Sequence, residues 1–160
     1  MTSPGERAPR PAPPRAGGYK WFTKVTTRWM DNDVYGHVNN VVYYSWFDSA
    51  ANLFLIERAG LSPERSAVIG LIVSSSCNFH RSLSYPQTVR VGLRVDRLGD
   101  RSVTWGLALF EEQGEEQGDE SCAHGQMVHV FVDRQTRRPV AIPAEVRREL
   151  ETLVATAAGG

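Results

Sequence analysis

Apolar residues at Phe47, Ala50, Ala51, Phe54 and Leu55 follow the three-and-four spacing of a helix, and Tyr43 and Tyr44 extend the stripe toward its start. The spacing predicts a helix from about Asn39 to Glu57 or Arg58, about 30 Å long at ~1.5 Å per residue. Gly60 supplies its stop. Elsewhere the period is two. Val89, Val91, Leu93 and Val95 alternate with Arg90, Gly92, Arg94 and Asp96, and Val103, Trp105, Leu107 and Leu109 repeat the pattern. Each of these strands should bury one face, with Leu98-Gly99-Asp100-Arg101 as the hairpin between them.

Three more strands complete the reading. Tyr19 to Trp29 is rich in aromatic and β-branched residues, Ala67 to Phe79 is a long run of apolar and small residues, and Gln126 to Val132 precedes an Asp133-Arg134-Gln135-Thr136 turn. Pro143 should open a last helix reaching to about Ala155. A strand, a long helix and then consecutive antiparallel strands make an α+β plan, in which a curled sheet wraps one central helix. Its edge strand would stand open in a monomer, so pairing with a second copy is expected.

Composition narrows this picture at a few points. The 160 residues suit one domain, here 19–157, and 41% hydrophobic content suffices for its core. Residues 1–18 hold five of the nine prolines with Arg7, Arg10 and Arg15, and read as a disordered leader. Glu111 to Glu120 carries six acidic residues and two glycines, and reads as a solvated loop. Eighteen basic residues balance eighteen acidic ones, which argues against a nucleic-acid partner. No apolar run suggests a signal or a membrane span, and Cys77 and Cys122 lack metal-ligand spacing, so a reduced, cytoplasmic protein is expected. His124 and His129, five apart in a strand, face opposite ways, and His80 brings no Cys or carboxylate at ligand spacing. No metal is expected.

The chemistry concentrates between Arg28 and Tyr44. Asp31, Asn32, Gly36, Asn39 and Asn40 are residues that cap helices or accept unusual backbone angles, so a polar turn should deliver the chain into the helix. The first N–H groups of a helix lack intrahelical partners and sit at the positive end of its dipole, where they stabilise a developing oxyanion. Asp33 places a carboxylate seven residues ahead of Asn40. It could attack a thioester carbonyl directly or activate water as a general base. Read without chemistry, Asp33 is a turn-former, with Asp31 and Asn32 organising the loop. His37 could orient substrate, share a proton with Asp33, or make a structural hydrogen bond.

The pattern Asp-x-Asp-x-x-Gly-His-Val-Asn-Asn-x-x-Tyr, Asp31 to Tyr43, resembles the 4-hydroxybenzoyl-CoA thioesterase branch of the hotdog-fold acyl-CoA thioesterases. The resemblance runs over roughly residues 20–150, through Ile72-Val73-Ser74, Ser84-Tyr85, Val89 to Val95, the 98–104 hairpin and Val130-Phe131-Val132-Asp133. It implies a hotdog fold, an acyl-CoA substrate, no cofactor, and a homodimer or dimer of dimers with sites at the junction. It also makes Asp33 the catalytic carboxylate and the Asn40 amide the polarising donor. Asp48 corresponds to a helix carboxylate that contacts the acyl ring in a relative acting on an aromatic substrate, and Tyr43 is a candidate pocket wall. Arg101 and Arg134, with Arg137 and Arg138, fall where the family contacts the nucleotide and are candidates for the CoA phosphates.

Two other functions suit the same shape. A hydratase or dehydratase of enoyl thioesters needs a His and an acid to move protons at two carbons, and Asp33 and His37 are one residue closer than the Asp-x-x-x-x-His spacing of that class. A non-catalytic acyl-CoA binding module would not need the Asp33 carboxylate.

Overall fold

The structure, a computed structural model, describes residues 9–113, 116–117 and 119–155. Strand β1 (Trp21–Thr26) leads through a 3-10 turn (Trp29–Asp31) to helix α1 (Asn40–Glu57). Then come β2 (Val68–Phe79), β3 (Thr88–Leu98), β4 (Ser102–Gln113), the short β5 (Glu116–Gln117), β6 (Ala123–Asp133) and helix α2 (Ala144–Glu151). The strands form one antiparallel sheet in the order β1-β3-β4-β6-β2, with β5 paired only to β4. The sheet wraps α1, which is the α+β hotdog plan expected from the sequence.

The expected stripe is the buried face. Phe47, Ala51 and Phe54 have no exposed surface, and they pack on Val91, Leu93, Trp105 and Leu107 from the inner faces of β3 and β4. Phe54 meets Trp105 edge to face at 6.0 Å. Gly60 ends the helix as expected: it takes φ +68°, and the Leu61 N–H turns back to Leu55 O at 3.0 Å. Five polar residues among those described are buried as well, His129 among them. His129 is 1% exposed, and its Nδ1 accepts the indole N–H of Trp105 at 2.8 Å.

Three boundaries differ from the sequence reading. The first strand is shorter, because the chain turns at Trp29–Asp31 to build the loop before α1. The last helix stops at Glu151, and Val154 pairs with Val95 instead. A bulge between Val95 and Arg97 interrupts the β3–β4 ladder, and Val95 exchanges hydrogen bonds with Leu153 O and the Ala155 N–H. The acidic segment is also not a free loop at its start, since Glu111 and Glu112 continue β4. Glu112 pairs with Lys24 at 3.0 Å, and Glu111, 8% exposed, accepts the Gln87 amide at 2.6 Å. Carboxylates with donors are compatible with a strand, and the sequence pattern does not reveal donors from other strands.

The leader has a fixed end. Arg15 bridges to Glu120 and pairs with Asp119 at 2.7 Å, and Ala16–Gly18 form a 3-10 turn before Tyr19 docks on Phe110. Residues 1–8 of the expected leader and 114, 115 and 118 of the expected loop lie outside the described residues. At the other side of the sheet β2 is an edge, with Leu71, Ile72 and Val73 exposed by 36%, 41% and 62%. No helix among the described residues is long and apolar enough to cross a membrane.

Candidate active site

The polar turn before α1 folds as a small hairpin. Asn32 and Val38 form an antiparallel bridge, the Asp33 N–H donates to His37 O at 2.9 Å, and the Gly36 N–H donates to Asp33 O at 3.1 Å. Gly36 takes φ +79°, which glycine reaches without a Cβ penalty. Asp31, 2% exposed, pins the base. Its carboxylate accepts the Arg28 backbone N–H at 2.8 Å and the Arg28 guanidinium at 2.8 and 3.1 Å, while its carbonyl accepts the Asn39 N–H at 2.8 Å.

The tip of this hairpin rests on the segment after β2. The Val38 N–H donates to Leu83 O at 2.7 Å, the Ser84 hydroxyl to Gly36 O at 2.9 Å, and the Tyr85 N–H to Asn32 Oδ1 at 3.1 Å. Gln87 stiffens that segment, accepting the Ser84 N–H at 2.6 Å and donating to Glu111 at 2.6 Å. Asp31 and Asn32 therefore organise the loop, as the turn chemistry led us to expect.

Asp33 sits half-buried with its two oxygens in different situations. Oδ1 accepts the Tyr35 N–H at 2.9 Å, and nothing among the described residues engages Oδ2. The side chain borders two openings at once. One is a cleft of about 300 Å³ walled by Val38, Asn40 and Tyr43 on the helix side and by Phe79, His80, Arg81 and Ser82 on the sheet side. The other, about 650 Å³, lies across the hairpin and is lined by Trp29, Asn32, Tyr35 and Asn39 among others. Asp33 is the one residue that borders both.

The helix entrance faces the first cleft. Asn39 is the N-cap, its Oδ1 accepting the Val41 N–H at 3.1 Å, and Asn40 is the first helical residue. Among the described residues no acceptor engages the Asn40 N–H. An unpaired N–H at the positive end of an 18-residue helix, beside a carboxylate with one unengaged oxygen, can polarise a carbonyl while the carboxylate delivers a nucleophile.

The remaining candidates fall in different places. Tyr43 lines the cleft, 3% exposed, with its ring edge to face against Phe79 at 5.0 Å, and burial pushes its phenol up to about 12. His37 is exposed and outside both openings, and its carbonyl serves the hairpin. Asp48 accepts the Asn52 amide at 2.9 Å and faces the core histidine His129, away from the cleft. The Arg134 guanidinium is spent on the 62–66 turn, donating to Ser66 O at 2.6 Å and Pro63 O at 2.5 Å. Arg101 is exposed on the 99–101 hairpin.

Both arginines lie far from Asp33 along the sheet. β2 pairs with Asp133 at its Val68 end and with Ala123 at its Phe79 end. Arg134 belongs to the first end and the cleft to the second, about 35 Å apart at ~3.3 Å per residue. Arg101 lies at the same distal end, its carbonyl accepting the Phe131 N–H at 2.8 Å.

Sequence reasoning missed the sheet wall. In the sequence His80 suggests itself only as a metal ligand, and Arg81 and Ser82 carry no signal. They follow a strand end with no spacing to the Asp31–Tyr43 motif, and only the sheet register brings them to the helix entrance. The His80 ring also meets His124 across the β2–β6 pair at 2.8 Å.

This fold, with a carboxylate facing a helix entrance, defines a hotdog-fold thioesterase. Residues 25–150 match the thioesterase-like superfamily, and the chain belongs to that family. It is 25% identical over 138 residues to the uncharacterized protein YsmA of Bacillus subtilis (strain 168), covering 86% of this chain and 88% of that one. The crystal structure of the PA5185 protein from Pseudomonas aeruginosa strain PAO1 is similar at 51% identity and TM-score 0.86, over 91% of this chain and 99% of that one. A predicted thioesterase from Bacillus stearothermophilus is similar at 27% identity and TM-score 0.70, over 86% and 98%. Hydrolysis of an acyl thioester is thus the general activity of the class to which this chain belongs.

Proposed function

We propose that the protein hydrolyses acyl-CoA thioesters to the free acid and CoA, with Asp33 as nucleophile or general base and the Asn40 N–H as oxyanion donor. The observation that carries this reading is the unengaged Asp33 oxygen beside the unpaired N–H that opens α1. The carbonyl oxygen sits at the helix entrance, where negative charge develops as the carbon becomes tetrahedral, and the thiolate then departs. Because Asp33 borders both openings, a substrate can run from one to the other with its thioester at the carboxylate.

The working unit in this proposal is a homodimer, or a dimer of such dimers, paired through the open edge of β2. Antiparallel pairing of that strand with its copy would bring the partner subunit's distal end, which carries Arg101, Arg137 and Arg138, toward the Phe79 end of this chain. That arrangement would add cations for the CoA phosphates to Arg81, which lines the cleft from its own chain. The free thiols of Cys77 and Cys122 accord with a reducing, cytoplasmic setting.

The test is release of free thiol over a panel of acyl-CoA substrates, with a binding measurement alongside. Thiol release that depends on Asp33 supports hydrolysis. Binding without release would replace it with an acyl-CoA binding module. Loss of enoyl absorbance from crotonyl-CoA without thiol would replace it with a hydratase.

A further inference from the structure

The ring planes of His80 and His124 are parallel to within 4°, with centroids 4.9 Å apart and His80 Nε2 at 2.8 Å from His124 Nδ1. At that separation so short a nitrogen approach means that the rings meet edge to edge, which is the geometry of an in-line N–H···N hydrogen bond. The two rings open on different spaces. His80 borders the cleft that holds Asp33 and Asn40. His124 lines a separate cavity of about 290 Å³ with Ser76, Asn78, Arg94 and Asp96, on the sheet face turned away from α1.

We propose that His80 and His124 form a proton conduit that carries the proton liberated by hydrolysis from the cleft, past the β2–β6 strand pair, to solvent on the far face. The inference rests on the thioesterase reading above. Hydrolysis breaks one C–S bond and forms one C–O bond, and water contributes two protons. One ends on the thiolate sulfur, by way of Asp33. The other is released as the new carboxylic acid ionises, and this count holds whether Asp33 attacks the carbonyl or activates water. With Nε2 of His80 donating to His124, Nδ1 of His80 is left to accept that second proton. His80 then passes its Nε2 proton to His124 Nδ1, and His124 gives up its own Nε2 proton to the outer cavity. One proton enters and one leaves; each ring is left as its Nδ1–H tautomer, and proton exchange with solvent at the two half-buried rings restores the Nε2–H forms before the next turnover.

The surroundings keep the relay from holding the proton. Both imidazoles lie below the ordinary histidine value, His80 through burial and the charge of Arg10, His124 through burial and the charges of His80 and Arg94. Arg81 and Asp33 face His80 from the cleft walls, and Tyr19, Arg94 and Asp96 face His124. A proton taken up from the cleft is therefore released rather than retained.

The experiment is steady-state hydrolysis of an acyl-CoA by the parent, His80→Gln, His124→Asn and His80→Ala, in weak and in concentrated imidazole buffer, with circular dichroism to confirm folding. All three variants should lower kcat by roughly a hundredfold, at the low end of what positioned proton transfer contributes. KM should stay within twofold, and kcat of the parent should fall below neutral pH while the variants' profiles stay flatter. Imidazole should restore much of the rate in His80→Ala. A purely structural pair would lose stability without buffer rescue. Folded variants that keep the parent's kcat and pH profile while Asp33→Asn is inactive would overturn the conduit alone, as would a loss that no buffer rescues. An Asp33→Asn variant as fast as the parent would remove the thioesterase reading and the conduit with it.

Discussion

Asn32 and Tyr85 stand 53 residues apart in the chain, and the Tyr85 N–H donates to Asn32 Oδ1 at 3.1 Å. This bond joins the hairpin that carries Asp33 to the segment following the cleft's sheet wall. Removing it leaves the carboxylate on a looser support without touching the carboxylate itself. Asn32→Ala should cost ~1 kcal/mol of stability, the usual net value of one hydrogen bond. It should lower kcat more than that figure suggests, by about tenfold to a hundredfold, because small misplacements of reacting groups are costly. Thermal melts and thiol-release kinetics on one preparation test this, and an unchanged kcat would show that the hairpin holds its shape alone.

Asp33→Asn is the direct probe of the chemistry. The amide keeps an oxygen for the Tyr35 N–H, so the hairpin should survive. It cannot take a proton from water or act as a carboxylate nucleophile. Turnover should fall by about a hundredfold or more, as for loss of a positioned base, with the melting temperature close to the parent's. A variant that melts early as well as turning over slowly would move Asp33 into the category of loop scaffold.

The elements visible in the sequence were those whose partners lie on the same element. The stripe Phe47, Ala50, Ala51, Phe54, Leu55 gave α1 with its buried face, and the alternation in β3 and β4 gave their inward sides. The helix entrance at Asn39 and Asn40 followed from local capping chemistry. What escaped depended on distant residues. Glu111 is strand rather than loop because Gln87 reaches it from before β3, and the helix after Pro143 ends early because a bulge at Val95 offers the chain a strand partner. Half of the cleft escaped for the same reason: His80 and Arg81 become neighbours of Asp33 only when β2 reaches the entrance of α1. Arg134 shows the converse, since a cation picked by position alone proved to be occupied by the carbonyls of a nearby turn.

The open edge of β2 bears on assembly. Ile72 and Val73 expose 41% and 62% of their surface beside unpaired backbone groups, an arrangement that proteins usually cover. Val73→Lys places a charge at the centre of the proposed strand pair. Sedimentation should then shift from a dimer or larger species toward the monomer mass, and activity should fall with it if the phosphates of CoA depend on the partner's arginines. Equal masses for parent and variant would relocate the interface.

His129 makes the fold sensitive to acid. Its Nδ1 accepts the Trp105 N–H at 2.8 Å, so the folded ring is neutral with its proton on Nε2. Burial lowers its pKa from the ordinary 6.5, and the charge of Asp48 opposes this only in part. The unfolded chain, titrating at its ordinary value, binds the proton first as pH falls. Between that value and the lower folded one, the unfolded state holds more protons and stability rises with pH. The contribution is whole above the unfolded pKa and is lost as pH falls through the folded one. His80 and His124 are lowered too and add slope of the same sign. The melting temperature should therefore be level above about pH 7 and decline as the solution is acidified through the range where free histidine titrates. His129→Asn keeps an acceptor near the Nδ1 position and cannot take a proton there, so its decline should be shallower, even from a lower starting point. A slope as steep as the parent's would assign the acid sensitivity to other groups.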